Sequence, residues 1–180
     1  MSALALVLAF VALQRLGELL LAARNTRALL AAGGREGGRG HYPLFIVLHG
    51  AWLVSLLGEA GWNAAPSWWL LGLFAALQAG RVWVILSLGR FWTTRIVTLD
   101  GAPLVRRGPY RLFRHPNYLV VAGEIAILPL AFGAFGTALV FSLLNAILLR
   151  HRIAAEEAAL ASRRAGTAFA RGEAPQAREA

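Results

Sequence analysis

The sequence predicts an all-α integral membrane protein: five transmembrane helices, a C-terminal helical hairpin, and a short cytoplasmic β-hairpin before it. Three observations predict this. Of the 180 residues, 58% are hydrophobic and the mean hydropathy is +0.58, whereas soluble domains are about 45–50% apolar. The apolar residues fall in runs long enough to cross a bilayer. All 18 basic residues are arginines, and nearly all sit in alternate loops.

The apolar segments are 3–23, 43–60, 66–88, 117–132 and 134–150. The first is too long for a secretory signal core and has neither a basic residue before it nor a clean cleavage site. It is therefore expected to remain in the mature protein. Residues 59–66 join the second segment to the third, with Trp62, Trp68 and Trp69 nearby, as suits a membrane–water interface. Only residues 132–136 separate the last two segments, so these form an antiparallel hairpin. Ahead of the hairpin, the β-branched run 93–99 is followed by Asp100-Gly101 and then Leu104-Val105-Arg106. That pattern reads as strand, turn and returning strand. The chain thus divides into a three-helix part (1–88), a part with loop, hairpin and cytoplasmic helix (89–165), and a tail (166–180) expected to fray.

The arginines set the topology. Arg24, Arg27, Arg35 and Arg39 follow the first segment, six lie between the third and fourth, and six follow from Arg150 onward. The other two loops have none. By the positive-inside rule the N-terminus lies outside and the C-terminus in the cytoplasm. Charge spread over alternate loops forms no nucleic-acid groove, so the net charge of +9 is read as topology. With no cysteine, disulfides, zinc thiolates and thiol nucleophiles are excluded.

Two polar clusters could carry chemistry. One is 108–118, Gly-Pro-Tyr-Arg-Leu-Phe-Arg-His-Pro-Asn-Tyr, leading into segment four; the other is Asn145, Arg150-His151-Arg152 and Glu156-Glu157, where segment five ends. Tyr118 lies 16 residues before Ala134 and Arg150 lies 16 after it, so a hairpin turning there brings the clusters to one depth at the cytoplasmic face. Pro116 suits the first turn of a helix. That helix end, with Arg114 and His115 beside it, favours an anion such as a carboxylate. Glu156 and Glu157 favour a cation or hydroxyl donors. Taken separately, such residues are also common as interface anchors.

Gly-Pro-Tyr-Arg-x-x-Arg-His-Pro-Asn-Tyr at 108–118 and Arg-Ile-x-x-Glu-Glu-x-x-Leu at 152–160 resemble the paired motifs of the isoprenylcysteine carboxyl methyltransferase family. These integral-membrane enzymes use S-adenosylmethionine. The resemblance extends over about 90–160 and includes 91–96, Phe-Trp-Thr-Thr-Arg-Ile. It implies that Arg114, His115 and Tyr118 surround the cofactor, with Arg152, Glu156 and Glu157 opposite, and with Tyr110 and Asn145 as further cofactor residues. Membrane phospholipid N-methyltransferases share the motifs, which therefore mark the cofactor site better than the substrate. Glu36-x-x-x-x-His41-Tyr42-Pro43 and His49 resemble a bacterial branch that O-methylates long-chain alkylpyrones and alkylresorcinols, which implies a bacterial inner membrane.

Polar groups inside a bilayer are costly and are functional candidates. Arg15 and Glu18, spaced i, i+3, suit a helix-pairing salt bridge. His49 is a candidate general base or a satisfied core histidine. Glu124 either lines the substrate cavity, as a second candidate catalytic group, or pairs with Arg81. Trp92 is expected to wall the pocket. The activity expected is methyl transfer to a carboxylate, enol or phenol oxygen on a prenyl or long-alkyl compound that enters from the bilayer. Membrane lipids are the other expected partners, and no metal or nucleic acid is expected. An N-methyltransferase, or a non-catalytic transporter or assembly protein, stands as the alternative.

Overall fold

A computed structural model describes residues 2–37, 42–102 and 104–169, with side chains to 161. Five α-helices carry the architecture: α1 (Ala3–Ala31), α2 (Tyr42–Ala60), α3 (Trp68–Leu88), α4 (Pro116–Ala131) and α5 (Phe135–Phe169). Four contain stretches long and apolar enough to cross a membrane, and α4 is a shorter apolar helix of 16 residues. The chain is a multi-pass membrane protein. Trp62, Trp68 and Trp69 lie exposed between α2 and α3, the position expected of interfacial tryptophans.

Two helices outrun their apolar segments. α1 continues past Ala23 to Ala31, and α5 passes Arg150 without a break to Phe169. Hydropathy sees only what the bilayer covers, whereas Ala, Leu, Glu and Arg continue a helix into water just as readily. The tail beyond 169, His41 and Arg39 lie outside the described residues.

The expected β-hairpin is corrected. Residues 100–101 do turn, with Gly101 at φ 74° and Ala102 N–H bonded to the Leu99 carbonyl at 3.2 Å. The strand β2 (Ile96–Thr98), however, pairs antiparallel with β1 (Arg35–Gly37) from the α1–α2 loop. Arg35 faces Thr98 and Gly37 faces Ile96. Leu104-Val105-Arg106 forms no ladder. Pro103 precedes that stretch and brings no N–H to a returning strand, whereas the other loop offers an unpaired edge. The sheet therefore fastens the α1–α2 loop to the loop before the hairpin.

The core lies mostly between α2, α4 and the outer half of α5. Trp52, fully buried, donates its Nε1–H to the Ile125 carbonyl at 3.2 Å and packs among Leu56, Ile125 and Leu128. At the hairpin tip, Gly133 takes φ 73° in the turn. There Glu59 accepts the Gly136 and Thr137 N–H groups at 2.8 and 2.6 Å. The first turn of α5 is thus capped by a carboxylate from α2.

Midway along the bundle lies a network of four charges. Glu124 of α4 is 0% exposed and is held by Arg81 of α3 through both oxygens, one at 2.8 Å. Arg15 of α1 reaches the same carboxylate at 2.5 Å and Glu18 at 3.0 Å, while Arg81 also reaches Glu18 at 3.1 Å. Gln78 and Gln14 donate to Glu124 and Glu18. Two guanidiniums and two carboxylates sum to zero, the condition under which charges are tolerated inside a membrane. The helix-pairing role expected of Arg15 and Glu18 is met, and it extends over three helices.

Removing one member leaves a buried charge uncompensated. Glu124→Gln is expected to destabilise the protein by about 3 kcal/mol, read as a lower melting temperature in detergent. Arg81→Met combined with Glu124→Leu removes both signs and recovers most of the loss. Trp52→Ala costs about 3 kcal/mol by opening a cavity. Val54→Ala on the exposed face of α2 changes stability by less than about 0.5 kcal/mol.

Candidate active site

The two polar clusters meet. Tyr118 on α4 donates its hydroxyl hydrogen to Glu156 on α5, and Arg152 Nε approaches the same hydroxyl at 3.3 Å. His115 stacks on Tyr118 with ring centroids 5.4 Å apart and lies 3.8 Å from Glu156 and 3.5 Å from Glu157. Arg114 lies 3.8 Å from Glu157 and is largely exposed. The hairpin thus juxtaposes the motif residues as the spacing expects, with Arg152 rather than Arg150 level with Tyr118.

Local sequence explains the placement. Pro116 occupies the first turn of α4 and no side chain caps that end, so His115 is free to turn toward α5. Asn145, Arg152 and Glu156 are seven and four residues apart on α5 and so share a face. Arg152 is buried and also donates to the Thr94 carbonyl at 2.8 Å, which fixes the loop before the hairpin against α5. Gly108 lies so close to α3 that a Cβ there would sit 2.1 Å from Ser87 Oγ. The residue type holds the Gly108–Arg111 turn, and Tyr110 with it, against α3. Burial, then the charge of Glu156, pushes the Tyr110 hydroxyl above its ordinary pKa, so it stays a neutral hydrogen-bond donor.

A cavity of about 1030 Å³ opens from this cluster into the bundle. Its mouth is lined by Arg114, His115, Tyr118, Arg152 and Glu156, with Tyr110, Trp92 and Asn117 alongside. Deeper, its wall is Leu16 and Leu19 of α1, Ile46, His49 and Leu53 of α2, and Arg15, Glu18 and Arg81 from the charge network. Glu124 lies six residues beyond Tyr118 on α4, about 9 Å deeper at the helical rise. One chamber therefore joins a polar, charged mouth to an apolar interior.

Several buried polar atoms have no hydrogen-bond partner among the described residues: Trp92 Nε1, Asn117 Oδ1, Asn145 Oδ1 and Arg15 Nε. Such atoms are rare in folded proteins unless a ligand or water serves them. Trp92 and Asn117 are at the mouth, whereas Asn145 lies two turns deeper on α5 and belongs to no bonded cluster. Cationic donors, carboxylate acceptors and these unserved atoms are groups that could hold a nucleoside carrying a carboxylate, an ammonium and a sulfonium, such as S-adenosylmethionine.

Of the two roles expected for Glu124, ion pairing with Arg81 is the one the geometry gives. The alternative, a carboxylate lining the cavity and acting in catalysis or substrate contact, is corrected. Glu124 is wholly buried and its two oxygens accept four hydrogen bonds, three from Arg15 and Arg81 and one from Gln78, which fills its lone pairs. His49 does face the cavity. Its Nδ1 lies 2.8 Å from the Phe45 carbonyl. A carbonyl can only accept, so Nδ1 carries the hydrogen and Nε2 holds the lone pair of the neutral ring. Trp92 lines the cavity.

Asn25 went unmarked in the sequence. Buried on α1, it donates to the Gly89 and Trp92 carbonyls at 3.1 and 2.9 Å and so fixes Trp92. Only recognition that α1 continues past Ala23 could have flagged it.

A sequence model of the isoprenylcysteine carboxyl methyltransferase (ICMT) family matches residues 70–162. The chain is 40% identical over 159 residues to the uncharacterized protein YpbQ of Bacillus subtilis, covering 86% of this chain and 95% of that one. It is 30% identical over 152 residues to an uncharacterized protein of Haemophilus influenzae, covering 81% and 88%. No solved structure matches. The matched span includes α4, α5 as far as residue 162 and every residue of the cavity mouth, and on that ground the chain belongs to the isoprenylcysteine carboxyl methyltransferase family of membrane methyltransferases.

Proposed function

We propose that this protein is an S-adenosylmethionine-dependent O-methyltransferase acting on a lipophilic substrate drawn from the bilayer. The single observation that carries the reading is the continuous cavity. Its mouth has the charged donors and acceptors a water-soluble zwitterion needs, and its interior has the apolar wall an alkyl or prenyl chain needs. When bound, S-adenosylmethionine supplies a methyl group activated by a sulfonium. The chain's own contribution is to hold the two reactants in line and keep water out, so positioning provides most of the rate.

Roles follow from position. Arg114 and His115 hold a carboxylate, and Glu156 and Glu157 hold hydroxyls or an ammonium. Arg152 and Tyr118 keep Glu156 in place, with Tyr110 and Trp92 forming the side wall. His49, with Nε2 free to accept a proton, serves an acceptor that must be deprotonated. The arginine-bearing loops lie at the mouth end, which supports an orientation with the mouth toward the cytoplasm of a bacterial inner membrane, where the methyl donor is made.

Calorimetry on the purified protein is expected to show S-adenosylmethionine binding. His115→Ala and Glu156→Gln should each weaken it at least tenfold, about 1.4 kcal/mol, while Leu20→Ala on the exposed face of α1 leaves it unchanged. A wild-type protein that binds no S-adenosylmethionine would sink the reading.

A further inference from the structure

The C-terminal part of α1 reaches the loop that walls the mouth. Asn25 there is 5% exposed. Its side-chain nitrogen donates to two carbonyls, Gly89 at 3.1 Å and Trp92 at 2.9 Å. Those carbonyls flank the single turn Gly89–Phe91, where α3 gives way to the loop. The Trp92 backbone N–H closes the same turn on the Gly89 carbonyl at 3.0 Å. Two residues on, the Thr94 carbonyl accepts from Arg152, whose Nε approaches the Tyr118 hydroxyl that donates to Glu156. The stretch 92–94 is thus pinned to α1 at one end and to the charged cluster of α4 and α5 at the other. α1 lies outside the family-matched residues 70–162, so the shared motifs give no account of Asn25.

The stretch held in this way carries an unspent donor. Trp92 is 4% exposed and lines the cavity, and its Nε1–H has no partner among the described residues. A donor shut off from water without an acceptor is costly, and an indole nitrogen can only donate. An occupant of the cavity is what can supply the acceptor. Trp92 packs with Ala22 of α1 and Val84 of α3, and Tyr110 rests against that group. Tyr110 in turn feels the charge of Glu156. The indole therefore belongs to the polar mouth and not to the deep end at Arg15 and Arg81.

We infer that the Trp92 indole N–H binds the adenine ring of S-adenosylmethionine, and that Asn25 is the positioning residue that aims it. The assignment rests on the methyltransferase reading above and adds to it one ligand contact and one residue from outside the matched span. The chemistry of the mouth selects the acceptor. A cofactor carboxylate is matched by guanidiniums, and its hydroxyls by Glu156 and Glu157. The adenine ring nitrogens are what is left: neutral acceptors in a flat, largely apolar frame, suited to a neutral donor on an aromatic wall. Asn25 does not itself line the cavity. Its two hydrogen bonds fix the backbone from which the indole projects.

The test uses full-length protein in detergent and calorimetry with S-adenosylhomocysteine, the demethylated product. Trp92→Phe keeps an aromatic ring and removes the N–H. It should weaken binding about fivefold, the scale of one hydrogen bond. Asn25→Leu keeps the volume and removes the donor, with a loss of about fivefold or more. The double variant should lose no more than about twofold beyond the weaker single variant, because both act on one contact. Leu4→Ala empties a fully buried site at the far end of α1. It should lower the melting temperature yet leave affinity within about twofold, which separates aim from helix stability. Three analogues, each with a different adenine ring nitrogen replaced by CH, locate the acceptor. One of them should bind wild type about fivefold more weakly than the parent and bind Trp92→Phe as well as the parent does. With isotope-labelled tryptophan, the indole N–H signal that Trp92→Phe deletes should move downfield on binding in wild type and stay put in Asn25→Leu.

Undiminished affinity in Trp92→Phe, or wild type that binds all three analogues as well as the parent, overturns the adenine contact. Losses in the two single variants that add in full in the double variant, or an equal loss in Leu4→Ala, overturn the positioning role of Asn25. If Asn25→Leu fails to fold by size exclusion, Asn25→Ser, which admits water to the two carbonyls, takes its place under the same criteria. Absence of cofactor binding in wild type would remove the underlying reading as well. Normal wild-type binding with an unmoved indole signal removes only this contact.

Discussion

Everything in this bundle depends on the pairing of Glu124 with Arg81 and Arg15. A carboxylate at the middle of a membrane helix is intolerable alone and acceptable only when matched. Matching it requires α3 on one side and α1 on the other. α1 has a largely exposed apolar face and shares comparatively little buried surface with the other helices. Its place is set by Arg15 and Glu18 at mid-depth and by Asn25 at the inner end. The loose flank of α1 is in turn one wall of the cavity. The same ion pairs therefore hold the helix and keep the chamber open beside it.

Much of this was legible in the sequence, for identifiable reasons. Segment positions follow from hydropathy because a bilayer leaves the chain few alternatives. Residues 132–136 are too few to do anything but turn back, and equal counting from Ala134 brings Tyr118 level with the α5 cluster to within two residues. The motifs at 108–118 and 152–160 carry the family because they sit where that turn joins them. Other features were illegible because they depend on long-range partners. Nothing in 93–106 reveals that β2 prefers a strand from the first loop to its own return. The pattern gave Glu124 two roles, and only the approach of Arg15 from 109 residues away selects one. Asn25 stood past the predicted end of its helix and had no reason to be noticed.

The site works at a boundary between two solvents. The charged and polar side chains gather at the mouth, where His115, Tyr118, Arg152 and Glu156 order one another in a bonded cluster. The apolar chamber beyond it is walled on the α1–α2 side by Leu16, Ile46 and Leu53. Between the two regions, Trp92 is clamped by Asn25 through its backbone and keeps its indole N–H unspent. The small β1–β2 sheet covers the mouth from above, with Arg95 reaching Glu36 at 3.4 Å and Gly37 lying close to Ala159 of α5. That cover comes from two separate loops, so access to the mouth is tied to the relative position of α1 and the hairpin.

The brevity of α4 has a mechanical consequence. Sixteen residues amount to about 24 Å at the helical rise, roughly 6 Å less than the hydrocarbon of an average bilayer. Its neighbours are long enough to span, so a bilayer that matches them is too thick for α4, and the mismatch is met by recessing the polar start of α4 below the ends of the helices around it or by local thinning of the lipid.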